Sequence, residues 1–87
     1  MDNATIDNLI ELRALIEKAE AEARKATARN DYAAACELLE ASANCLMRLA
    51  EWQCPEVFGP AQTIVHDDDS FIAGLLAHMR KVVQRCA

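Results

Sequence analysis

The first 54 residues contain neither glycine nor proline, and that absence constrains the fold more than any other feature of the chain. Those two residues are the strongest punctuators of regular structure. A stretch this long without them reads as helix wherever the apolar spacing agrees, and it agrees twice. From Thr5 to Arg29, the residues Leu9, Leu12, Ile16, Ala19, Ala23 and Ala26 recur at intervals of three and four. Ile6, Ile10 and Leu15 widen that stripe. Acidic Asp2, Asp7 and Glu11 stand early and basic Arg24, Lys25 and Arg29 late, which complements the helix dipole. From Tyr32 to Gln53 a second stripe reads Tyr32, Cys36, Leu39, Ala43, Leu46 and Ala50, flanked by Ala35, Leu38, Leu49 and Trp52.

Between the two helices lies Arg29-Asn30-Asp31. Asn30 tolerates a left-handed conformation, and Asp31 suits the cap of the helix that follows. So short a connection makes the helices antiparallel neighbours. Folding about Asn30 sets Ala26, Ala23 and Ala19 opposite Cys36, Leu39 and Ala43, so the hairpin is expected to be tightest near its turn. Then "PEVFGP", residues 55–60, ends the second helix. A last amphipathic stripe, Phe71, Ile72, Leu75, Leu76, Met79, Val82, Val83 and Cys86, predicts a third helix over 70–86. A short turn of helix is expected between Pro55 and His66. The expected fold is all-α: one domain over 1–87, an antiparallel helical hairpin (5–29 and 32–53) completed by a C-terminal helix into a three-helix bundle.

The stretch "NDYAAACELLEASA", residues 30–43, resembles the middle of a tetratricopeptide-type helical hairpin. Tyr32, Ala35, Leu39 and Ser42 stand where that pattern has a turn aromatic, an alanine, a large residue and a small one. The match occurs once, without a second copy at the period of ~34 residues that such repeats require. Packing of any helical hairpin accounts for it equally well.

"HDDDS", His66 to Ser70, poses the chemical question. Three carboxylates and an imidazole suit Mg²⁺, Mn²⁺ or Zn²⁺ by ligand type. Adjacent helical residues point about 100° apart, however, so Asp67, Asp68 and Asp69 cannot converge while helical. Calcium loops space their ligands at alternate positions around a glycine, and this stretch does neither. Aspartate is favoured in the first turn of a helix, where free N–H groups and the dipole attract negative charge. The aspartates are expected to start the third helix. A single helix running on from Pro60 is the other geometry.

Four cysteines occur without a C-x-x-C pair and without zinc-ligand spacing. They are expected to be free thiols, with Cys36 buried at the hairpin seam. The net charge of −5 disfavours nucleic acid and anionic membranes. No apolar run approaches the ~20 residues of a membrane span. The opening residues lack a basic segment followed by an apolar one, so no signal peptide is expected and the cytoplasm is the default location.

Of the 53% apolar residues, 17 are alanine, which buries little surface, so stability should be modest unless copies associate. Helices of about 37 Å and 25 Å, at 1.5 Å per residue, also mean that the third cannot cover the whole hairpin. The leading expectation is a homodimeric protein-interaction or regulatory module, not an enzyme, with no cofactor or metal. Its interface is expected to draw on Leu12, Ile16, Leu39, Leu46, Leu75 and Met79. One alternative is a stand-alone acidic inhibitor, antitoxin-like or anti-defence, of a basic partner. Another is a metal-dependent hydrolase using His66 and Asp67–Asp69.

Overall fold

The structure is a computed structural model that describes residues 3–54 and 68–86. It contains three helices, α1 (Asn3–Ala28), α2 (Tyr32–Gln53) and α3 (Asp68–Cys86), and the described residues include no strand. The three pack on one another as a three-helix bundle. α1 lies along both of the others, while α2 and α3 meet over a shorter stretch. The result is flat, measuring 41 × 28 × 15 Å.

The turn is built as its residues suggest. Asn30 takes a left-handed conformation with φ 64°. Its N–H donates to Thr27 O at 3.0 Å, and the Asp31 N–H reaches back to Ala26 O at 2.8 Å. These two bonds form a Schellman motif and satisfy carbonyls that the end of α1 would otherwise leave bare. The Asp31 carboxylate then accepts from the Ala34 N–H at 3.3 Å, capping α2. Across the turn, the Tyr32 hydroxyl donates to Asn30 Oδ1 at 3.0 Å.

The core joins Leu12, Ile16, Ala19 and Ala23 of α1 with Leu38, Ala41 and Cys45 of α2 and with Leu75, Leu76, Met79, Val82 and Val83 of α3. The α1 and α3 stripes fall where the apolar spacing puts them. α2 does not. Its buried residues are Ala35, Leu38, Ala41, Ser42 and Cys45. The expected seam through Tyr32, Cys36, Leu39, Ala43 and Leu46 is exposed instead. The helix is turned by about one residue, 100° in helical terms. Ser42 occupies a core position because its hydroxyl donates to Leu38 O at 2.9 Å, so the burial leaves no polar group unmatched. Cys36 is exposed rather than buried; Cys45 is the buried thiol, and all four cysteines are free. Ile6 and Ile10, expected to widen the α1 core stripe, are exposed as well.

Two surface ion pairs tie α3 to the hairpin, Arg80 to Glu11 of α1 and Arg85 to Glu37 of α2. Exposed pairs of this kind contribute about 0–1 kcal/mol each, so the apolar stripe of α3 does most of the holding. At the opposite end, Trp52 of α2 stacks on Phe71 of α3 with ring centroids 6.1 Å apart. Helix α3 begins at Asp68, which puts Asp68 and Asp69 in its first turn, as helix-starting residues. His66, Asp67 and the short helical turn expected before them lie outside the described residues.

Candidate interaction surface

Among the described residues, six large apolar side chains are left open by the bundle: Tyr32, Leu39, Leu46 and Met47 on α2, and Ile6 and Ile10 on α1. Each shows between 42% and 64% of its surface. At 100° per residue, Leu46, Leu39, Tyr32, Ala50, Ala43, Cys36 and Met47 fall within one arc of about 100° on α2. No other residue of that helix falls inside the arc, so it carries no charge at all. α2 therefore has two apolar seams side by side. One, Ala35-Leu38-Ser42-Cys45-Leu49, is turned into the bundle; the other, Tyr32-Cys36-Leu39-Ala43-Leu46-Ala50, faces outward.

The α1 flank beside this arc can be placed from a shallow groove lined by Glu20, Ala23, Arg24 and Thr27 of α1 together with Leu39 of α2. Ile6 stands 18 residues before Arg24, five full helical turns, and so lies on the same line of α1. Ile10 sits one turn further along that line. The flank is thus apolar at its N-terminal end and charged, through Arg13, Glu17, Glu20 and Arg24, over the rest. Since the hairpin is antiparallel, the apolar end is level with the last turns of α2. The surface is a continuous apolar strip along α2 that broadens onto α1 at one end.

Of the six residues expected at an interface, Leu12, Ile16, Leu75 and Met79 are buried inside the chain's own bundle. Leu39 and Leu46 lie together on the open strip, four turns of helix being shared by the strip's two leucines and their small neighbours. Sequence reasoning passed over Met47, Ile6 and Ile10. The signal for Met47 was present in the charge-free arc of α2, but telling the inner seam of that helix from the outer one required knowing where α3 docks.

Among the described residues no group of three or more His, Cys, Asp or Glu is placed to hold a metal ion. Burial pushes the Cys45 thiol above its usual range, against a smaller opposing pull from Arg48. Cys86 is also raised, first by desolvation and then by Glu37, whose carboxylate lies 3.2 Å from its sulfur. Both thiols are thereby kept protonated, the opposite of what a nucleophilic cysteine needs. No described helix is long and apolar enough to cross a membrane. Compared with protein-family models, curated proteins and solved structures, the chain matches none of them.

Proposed function

We propose that this chain is a homodimeric protein-interaction module whose working surface is the open strip of α2 and the N-terminal flank of α1. The observation that carries the reading is the gathering of six exposed large apolar residues, four on the charge-free arc of α2 and two on the N-terminal flank of α1. Taking roughly 200 Å² for a large side chain and about half of it exposed, the strip offers about 600 Å². That is at the upper limit of what monomers leave open, about 300–600 Å². Two copies placed face to face would bury about 1,200 Å², the lower bound of a standard stable interface. The four free thiols suit a reducing compartment, in keeping with a cytoplasmic location.

Salt separates this reading from an acidic inhibitor of a basic partner. Two copies that each carry −5 repel one another away from an uncharged contact, so screening should tighten the dimer or leave it unchanged. Binding of a basic partner weakens as salt rises. The test is sedimentation equilibrium across a hundredfold dilution at low and high salt, on the natural chain and on a Leu39→Glu/Leu46→Glu variant. The natural chain should pass from monomer to dimer, and the variant should stay monomeric with its helicity intact, at least ~100-fold weaker in association. A natural chain that is monomeric throughout, or a variant that dimerises equally well, would refute the proposal.

A further inference from the structure

Resting on that reading, we infer that the two copies meet through α2 packed antiparallel on α2, with the two-fold axis beside Ala43. A two-fold contact has to be complementary to itself, and the outward seam meets that condition when read in reverse about this residue. Three or four residues to either side of Ala43 stand large side chains, Leu39 before it and Leu46 and Met47 after it. Seven residues to either side stand small ones, Cys36 and Ala50. Reversal therefore sets Leu39 beside the partner's Leu46, Cys36 beside the partner's Ala50, and Ala43 against the partner's Ala43. Alanine at the crossing lets the helix axes approach to about 8 Å, the near end of the packing range, while the leucines interdigitate around it.

The ends of the strip decide between antiparallel and parallel. Tyr32 stands eleven residues before Ala43 and Cys54 eleven after, so the antiparallel arrangement brings a large ring onto the narrow, small-residue end of the opposite α2. That is also the end where Ile6 and Ile10 broaden the surface. A crossing that leans α2 toward them sets Tyr32 against the partner's Ile10, and leads α2 away from the charged half of the α1 flank, Glu20 and Arg24. A parallel pair would oppose Tyr32 to the partner's Tyr32, at the end of the strip away from the isoleucines, so neither ring would cover them.

Disulfide trapping tests the arrangement. In a chain with Cys36→Ser and Cys54→Ser, an added Ala43→Cys should cross-link its own copy on mild oxidation, because facing Cβ atoms at the axis fall within disulfide reach. In the natural sequence Cys36 and the partner's Cys36 lie fourteen residues apart along the seam, about 21 Å, so they should not cross-link. A second variant, Ala50→Cys with Cys36 retained, should form two cross-links per dimer. Ala43 and Ala50 are not core residues, and melting of the reduced variants checks that the fold is kept. A dimer of the natural sequence that cross-links Cys36 to the partner's Cys36 is parallel, and overturns this geometry while leaving the proposed function standing. A dimer that traps through neither added cysteine overturns it too. A chain that is monomeric at every concentration overturns both.

Discussion

Replacing Leu38 by alanine and, separately, Leu39 by alanine asks which of two adjacent leucines the fold depends on. Leu38 is fully enclosed between the helices, whereas half of Leu39 is open to solvent. Truncating an enclosed leucine removes its transfer energy and leaves a cavity, together costing about 2–5 kcal/mol. Leu39 has only half a side chain to lose and water can fill the space, so its truncation should cost about 1 kcal/mol or less. An 87-residue chain is stable by about 4–13 kcal/mol. Leu38→Ala therefore removes about a sixth of that at the least, and all of it in the worst case. At about 4–8 °C per kcal/mol for a domain of this size, the melting temperature should fall by at least ~8 °C for Leu38→Ala. Urea unfolding followed by far-UV circular dichroism makes the measurement, at dilutions where the natural chain is monomeric so that association does not contribute. The two variants should share a slope and differ in midpoint. Equal losses, or a larger loss at Leu39, would mean that α2 faces the bundle with its other seam.

Gly74 lies exposed inside α3, and a Cβ added there meets nothing within 4 Å. Gly74→Ala should thus stabilise the chain by about 1 kcal/mol, read as a higher melting temperature. Asn30→Val forces a β-branched residue into φ 64° and should cost about 1–2 kcal/mol, whereas Asn30→Gly should not destabilise by more than a few tenths; chemical denaturation compares them. Cys45 has its thiol pKa raised by burial, so the fold favours the protonated form. Its contribution is complete below the unfolded thiol's pKa and is lost as pH rises through the higher folded value. Stability should therefore fall in alkali, by less in Cys45→Ala, as melts across that range would show.

The hairpin and its turn were legible in the sequence because their signals are local. Asn30 and Asp31 act through bonds to residues within five positions, and α3 has one apolar stripe with no rival on its other side. α2 was legible as a helix, with the boundaries its spacing implies, but not as an orientation. Its two seams have the same three-four period, and the outer one holds the bulkier set, Tyr32, Leu39, Leu46 and Met47. The inner one includes a serine, which counts against it until its hydroxyl is seen to bond within its own helix. What selects the inner seam is non-local: Val82, Val83 and Met79 of α3 need a surface of small residues and Leu38, and Glu37 meets Arg85 only in that orientation. The same rotation exposed Cys36 and moved two of the expected interface leucines outward together.

A helix with two seams fixes how far association can go. One seam is used up inside the chain, so among the described residues a single strip remains for the proposed contact between copies, and a strip that pairs with itself about a two-fold axis is closed once paired. Each copy keeps its charged surface on the outside, where like charge of −5 opposes further addition. Growth beyond two copies would require a second apolar face, and the other exposed surfaces of α1 and α3 alternate charged and small residues. Light scattering at rising concentration should therefore level off at twice the chain mass of 9.6 kDa. Mass that continues to climb would show that the strip joins copies head to tail, through two different halves, and that the symmetric reading of Ala43 is mistaken.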